Sequence, residues 1–240
     1  MTATQQDRSA LIFGARNLGR AVIEDLIARG WAVTAVARSD ATLELVRSAG
    51  ARAQRADITD AASIEGALRE AAEAQGGLDL VVNAASAYGG DRSGPFGGGP
   101  MAEAAPEAFE AWAAAPARAA FLFLSTAARF VVAQHRPATL IQVTGGSARR
   151  AMAGRGLWAA GAFGVRAITN AAALELRDQG IHVALLIVDA RIEPFEGAGG
   201  DPATADPREI ATAVAFLAEQ GARAATHELQ VTPLAERWVP

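Results

Sequence analysis

The feature that most constrains this chain is a repeat of short apolar runs, each followed by a stretch with helical spacing. "SALIFG" at 9–14 is a buried-strand pattern ending in glycine, and helical periodicity follows from Leu18 to Arg29, stopped by Gly30. "WAVTAVAR" is a second strand and "DATLELVRSAG" a second helix ending at Gly50. "ARAQRAD" is a shorter third strand, "DAASIEGALREAAEAQGG" a third helix, and "LDLVVNAAS" a fourth strand whose centre is continuously apolar. Continuous runs suit strands covered on both faces. A glycine-rich loop, "YGGDRSGPFGGGP", then leads into an alanine-rich helical region from about 103 to 135 that Pro106 and Pro116 must bend or interrupt. The fifth strand "TLIQVTGG" precedes a helix over 156–180, and "IHVALLIVDA" is the sixth strand. A Gly/Pro/Asp-rich loop at 193–207, the helix "PREIATAVAFLAEQG" and a last strand "HELQVTP" complete the pattern. Strands alternating with helices at this spacing require right-handed crossovers and a parallel sheet with helices on both faces. The expected organisation is a disordered tail at 1–8 and one α/β domain over 9–240, since no linker divides the chain.

Composition narrows the partners. The net charge is −4 and the basic residues are scattered, so no cationic stripe invites nucleic acid. The absence of cysteine excludes disulfides, thiolate metal ligands and cysteine nucleophiles. With no charged-plus-apolar leader, a cytoplasmic location is expected. The longest apolar stretch, "AAFLFLSTAARFVVA", is too short between arginines for a bilayer, so no membrane association is expected. His135, His182 and His227 are far apart in sequence, and no metal site is read from them.

In doubly wound sheets ligands sit at the carboxyl ends of strands, which directs attention to "IFGARNLGRA", a strand, turn and helix start. Backbone amides there could hold a pyrophosphate, although Gly14 and Gly19 also suit a tight turn with no ligand. The second strand ends in Arg38 and Ser39, where an NAD-binding chain usually carries an acidic residue. Arg38, with Arg16 in the turn, points to a 2′-phosphate and hence to NADP(H) rather than NAD(H).

Over residues 9 to 234 these features resemble the short-chain dehydrogenase/reductase superfamily. "RNLGRAV" is similar to the end of its glycine turn, "ADITD" to the segment whose aspartate reaches the adenine, "VVNAAS" to its Asn-Asn-Ala-Gly strand end, and 156–183 to its catalytic helix. The resemblance implies a Rossmann fold of about seven parallel strands. It also implies a homodimer or homotetramer packed through the helices at 103–135 and 156–180, and a cofactor held by Gly14, Arg16, Asn17, Leu18, Gly19, Arg38, Ser39, Asp57, Ile58, Asn83, Ala84 and Ala85. "VTGG", "GIHVALLIVDARIE" and "THELQVTPLAERW" look like an atypical bacterial branch with altered catalytic positions.

The departures matter as much as the matches. In the glycine turn, Asn17 replaces the middle glycine and Phe13 stands at the first, with Gly14 one place late. Either the Phe13 ring turns into the core and Gly14 serves the turn, or the pyrophosphate is held less closely. Carbonyl reduction by hydride needs a proton donor at the developing oxyanion. The family supplies it with a tyrosine, a lysine one helical turn later, a serine and an asparagine. Here Trp158 and Ala162 stand at the tyrosine and lysine positions, Gly145 at the serine position, and the asparagine falls near Pro116. An indole N–H does not release its proton at accessible pH, so Trp158 either stacks in the pocket or packs in the core. Tyr88, Thr144 and Ser147 are the remaining candidates; hydroxyls after a buried strand also cap helices. Asp189, Arg191 and Glu193 are expected at the mouth after the sixth strand, as an acid, a substrate anchor or solvated charges, and the glycine-rich loop is flexible by composition, as a lid or a plain connection. Two functions fit: an NADP(H)-dependent oxidoreductase of a small carbonyl or alcohol with a non-standard proton donor, and a nucleotide-binding protein without dehydrogenase turnover.

Overall fold

A computed structural model describes residues 8–86, 94–197 and 200–236. Residues 1–7 of the expected tail at 1–8, and Tyr88, lie outside the described residues. Arg8, placed in that tail by sequence, is instead tied down: its guanidinium meets Glu219 at 3.1 Å and lies 4.4 Å from the Trp31 ring centroid.

The chain runs β1 (Ser9–Phe13), α1 (Leu18–Ala28), β2 (Ala32–Ala37), α2 (Asp40–Ser48), β3 (Arg52–Arg55), α3 (Ala61–Gln75), β4 (Leu80–Asn83), α4 (Ala115–Ala133), β5 (Ala138–Gly145), α5 (Gly156–Leu176), β6 (Ile181–Val188), β7 (Arg191–Ile192), β8 (Thr204–Ala205), α6 (Pro207–Ala218) and β9 (Glu228–Val231). Seven strands form one parallel sheet in the order β3-β2-β1-β4-β5-β6-β9. The β7–β8 pairing, whose strands lie just before and within the loop expected at 193–207, had no signal in sequence. The chain winds outward from β1 to β3 and returns to place β4 against β1, with Phe13 beside Asn83. That return is the topological switch point, where the strand ends open a crevice.

Alternate side chains of each central strand feed two apolar layers. Ile12, Val82, Ile141 and Leu186 join Val22, Leu26 and Val214 on the α1 and α6 side. Leu11, Val81, Leu140 and Val183 join Leu68, Phe123 and Val131 on the α3, α4 and α5 side. Continuously apolar strands are thus a requirement of burial on both faces. Helix starts follow from local chemistry: Ser39, Asp60 and Asp206 accept from backbone amides at the starts of α2, α3 and α6.

The helix expected from about 103 begins later. Residues 101–107 form turns and irregular chain, Ala108 and Phe109 are helical, and Glu110–Ala114 is a widened π-helical turn leading into α4. Pro116 lacks the amide that would bond the carbonyl of Trp112 in a regular helix. That carbonyl lies against Gly161 of α5, where a Cβ would sit 2.5 Å from it. The stretch Glu110–Ala133 is long and apolar enough to cross a membrane, yet Phe123, Leu124, Ala127 and Val131 are buried as a core layer against α3 and α5.

Candidate functional site

The glycine turn resolves the Phe13 question in favour of the core. Phe13 is 1 % exposed and packs edge-to-face on Phe123, with ring centroids 5.7 Å apart. Gly14 makes the turn at φ +88°, and a Cβ there would lie 2.6 Å from the Ala85 nitrogen. The Ala84 amide donates to the Phe13 carbonyl at 2.9 Å, so the β1 and β4 ends are locked side by side. Gly19 is equally constrained, since its Cβ would fall 1.6 Å from the Gly14 carbonyl oxygen. Asn17, at the position of the middle glycine, has a positive φ of 43°, a conformation asparagine adopts more readily than most residues.

These residues fit a dinucleotide. Asn17 makes no side-chain cap and α1 has no acidic residue in its first turn, so the helix start keeps donors for an anion. The buried Asn17 Oδ1 has no partner among the described residues, an acceptor that ligand hydroxyls could use. Asn83, 2 % exposed, holds the β4 end rigid: its amide donates to Gln142 Oε1 at 2.9 Å and its Oδ1 accepts from the Ala85 amide at 3.1 Å. The structure therefore brings Gly14, Asn17, Leu18, Gly19, Asn83, Ala84 and Ala85 to one crevice.

The β2 and β3 ends form the adjoining corner. Arg38 is 3.7 Å from Asp57, and both line an open cavity of about 400 Å³ with Arg55, Ala56 and Ser63. Burial works to raise the Asp57 pKa, but donation from the Thr59 amide and hydroxyl, with Arg38 nearby, outweighs it and holds the carboxyl below its ordinary value. Ile58 is buried beneath this corner. Ser39 is committed to capping α2, where its hydroxyl also meets Thr42 at 2.8 Å. Arg16 is exposed and makes no ion pair among the described residues.

The other end of the crevice is of a different kind. The Trp158 indole lies over Gly145, where a Cβ would be 3.4 Å from Cζ2. Phe96 meets Trp158 edge-on at 5.0 Å and Trp112 at 4.8 Å, so three aromatic rings stand at the start of α5. Phe96 had no signal in sequence, because its partners come from distant elements. Its segment departs from the flexible loop expected: Gly97, Gly98 and Gly99 all have positive φ, and Cβ atoms on the first two would meet Arg155 at 3.0 Å and Leu157 at 2.6 Å. The glycines permit close packing on α5. Ala162 is 6 % exposed and gives no cation near the pocket.

Neither Thr144 nor Ser147 caps a helix. Ser147 is 1 % exposed, and its hydroxyl is buried without a partner among the described residues, which leaves it as a donor. Asp189 is not at the mouth; it is 7 % exposed, with Arg150 Nη2 3.2 Å from its carboxylate and Gln230 donating at 3.4 Å. Its carboxylate occupies the space a Cβ on Gly146 would need, 1.8 Å away. Arg191 pairs with Asp201 at 3.6 Å, and Glu193 accepts from Thr204. These three charges hold the loop after β6 in place.

A doubly wound sheet with a glycine turn at its switch point defines a Rossmann-type nucleotide-binding domain. The family model described as short chain dehydrogenase matches residues 8–188, and the chain belongs to that family. It is 28 % identical over 227 residues to the sorbitol dehydrogenase of Cereibacter sphaeroides, covering 87 % of this chain and 83 % of that one. A metagenomic short-chain oxidoreductase solved in complex with NADP is 25 % identical with a TM-score of 0.73, covering 95 % and 98 % of the two chains. A short-chain type dehydrogenase/reductase of Mycobacterium ulcerans shares the fold at a TM-score of 0.80 and 21 % identity, covering 94 % and 88 %.

Proposed function

We propose that the protein binds NADP(H) across the β1–β4 switch point and acts as an oxidoreductase on a small carbonyl or alcohol, with a proton donor other than a tyrosine–lysine pair. The observation that carries the reading is the turn at Gly14, pressed against the Ala85 backbone beside an uncapped α1, with Arg38 at the adjoining corner. Gly14, Asn17, Leu18 and Gly19 would hold the pyrophosphate, Asn83 to Ala85 would floor the crevice, and Arg38 would meet the 2′-phosphate. The nicotinamide supplies hydride when bound. Ser147 offers a buried hydroxyl that orients a substrate oxygen, and water or Tyr88 supplies the proton. The family resemblance further supports a homodimer or homotetramer, and the cysteine-free composition fits a cytoplasmic location.

A second reading, nucleotide binding without dehydrogenase turnover, is favoured by one observation. The indole over Gly145 fills space where a polar donor would meet the substrate oxygen. Titration with NADPH and NADH at matched salt tests the cofactor assignment: tighter NADPH binding is expected, and equal affinities refute it. NADPH oxidation across a carbonyl panel, lost in Tyr88→Phe, identifies the acid; NADPH binding with no oxidation in any case selects the second reading.

A further inference from the structure

The corner between β2 and β3 holds a second cation besides Arg38. Arg55 ends β3 in register with Ala37, so its guanidinium emerges beside Arg38 at the same cavity. It donates to the Arg38 carbonyl and pairs with the Asp40 carboxylate. Arg38 in turn faces Asp57 Oδ2 at 3.7 Å, while Asp57 Oδ1 is fixed by the Thr59 amide at 2.9 Å and hydroxyl at 2.8 Å. Each arginine therefore contacts one aspartate beside this open cavity, and both remain largely exposed, 71 % for Arg38 and 55 % for Arg55.

We infer that Arg55 is a specificity residue for a nucleotide 2′-phosphate, and that Asp40 and Asp57 are carboxylates the phosphate must displace from the two guanidiniums. The inference rests on the NADP(H) reading and deepens it. Exposed carboxylate pairs hold an arginine weakly. A phosphate monoester carries nearly two charges and three acceptor oxygens, and guanidinium forks match it bidentately, so it exchanges with a single carboxylate. A ribose hydroxyl offers no such charge, and with NADH both arginines keep their aspartates. Discrimination then depends on the balance between Arg55 and Asp40 as well as on Arg38.

The full chain is titrated calorimetrically with 2′,5′-ADP and with 5′-ADP, alongside thermal melts to verify folding. Wild type is expected to favour 2′,5′-ADP. Arg55→Gln is expected to weaken 2′,5′-ADP by about tenfold, the loss of one charge-assisted contact, and to leave 5′-ADP unchanged. Arg55→Lys should recover part of the loss, because a point charge replaces a fork. Asp40→Asn separates phosphate recognition from a bracing role. If Arg55 recognises phosphate, removing its competing carboxylate strengthens 2′,5′-ADP binding. If Arg55 only braces the Arg38 corner through Asp40, then Asp40→Asn weakens binding as Arg55→Gln does, and the proposal falls. Equal loss of both nucleotides in Arg55→Gln, or no loss of either, also overturns it while leaving the cofactor reading intact. Failure of folded wild type to bind either nucleotide removes the cofactor reading and this inference with it.

Discussion

Gly14 and Gly30 have nearly the same backbone conformation and opposite surroundings, which lets strain be separated from contact. Both have positive φ, +88° and +81°, so alanine at either position carries a left-handed penalty of about 1 kcal/mol. Around Gly30 nothing lies within 4 Å of an added Cβ. Around Gly14 the added atom would sit 2.6 Å from the Ala85 nitrogen, 2.7 Å from its Cα and 2.9 Å from the Ala84 carbonyl carbon. These are backbone atoms and cannot rotate aside, so the turn must separate from β4 at an overpacking cost of about 1–3 kcal/mol. At about 2–4 °C per kcal/mol for a chain of this size, Gly30→Ala should lower the Tm by about 2–4 °C. On the same scale the summed Gly14→Ala penalty, about 2–4 kcal/mol, lowers it by about 4–16 °C. Urea and thermal unfolding give the stabilities, and calorimetric titration gives NADPH affinity, which should fall in Gly14→Ala and hold in Gly30→Ala. Equal destabilisation of the two variants, or wild-type NADPH affinity in Gly14→Ala, would refute the argument that this contact builds the cradle.

Phe13→Leu should cost about 1–2 kcal/mol in urea unfolding by thinning the contact with Phe123, and NADPH affinity should not change, since the ring points into the core. A fall in affinity would return Phe13 to the cradle. Asp189→Asn removes the carboxylate facing Arg150 in a mostly buried setting, and a loss of about 2 kcal/mol is expected from unfolding midpoints; a neutral result would mean solvent already screens the pair. Burial lowers the His182 pKa below 6.5, the hydrogen bond with the Thr226 carbonyl opposes this, and His227 lowers it further. Because the folded value is depressed, its contribution is complete above about 6.5 and is lost as pH falls through the folded value. Wild type should therefore lose more Tm than His182→Gln between pH 7.5 and pH 5.5, and identical losses would exclude His182 as the source.

The sheet was legible because its signals are local. Each apolar run had to be continuous once helices covered both faces, and Gly30, Gly50 and Gly180 marked helix ends with positive φ. The cofactor turn was half legible. Spacing located Gly14, Asn17 and Gly19, but the direction of the Phe13 ring depended on Phe123, more than a hundred residues away, and only the fold could settle it. Arg55 was within reach of sequence, two positions before Asp57 at a strand end, but only the register of β2 with β3 sets it beside Arg38. The aromatic group at α5 was not within reach. Nothing near Phe96 announces that Trp112 and Trp158 converge on it, and its glycine neighbours suggested mobility where they serve close packing. The same long-range logic moved Asp189 from an expected mouth to a buried pair, because Arg150 and Gln230 reach it from β5 and β9 sides of the sheet.

The two ends of the crevice have been built under different physical demands. At the β1, β2, β3 and β4 ends, polar groups are left in place to be completed: an uncapped helix start, a buried Asn17 acceptor and two largely exposed arginines, each paired with one aspartate. The buried Asn17 acceptor is costly to maintain unless a polar ligand satisfies it, whereas the exposed arginines are solvated until one arrives. At the β5 end and the start of α5, the space is closed by indole and phenyl rings, and the buried carboxylate beside it is already satisfied by Arg150 and Gln230. Ser147 is the exception, a hydroxyl 1 % exposed among these groups and unpaired among the described residues. If a substrate oxygen is oriented at this end, Ser147 is the group positioned to meet it, and Ser147→Ala should then weaken substrate binding or turnover without changing NADPH affinity. A Ser147→Ala variant that gains stability and keeps every activity would show instead that the hydroxyl is only an unsatisfied buried group, and that this end of the crevice serves packing alone.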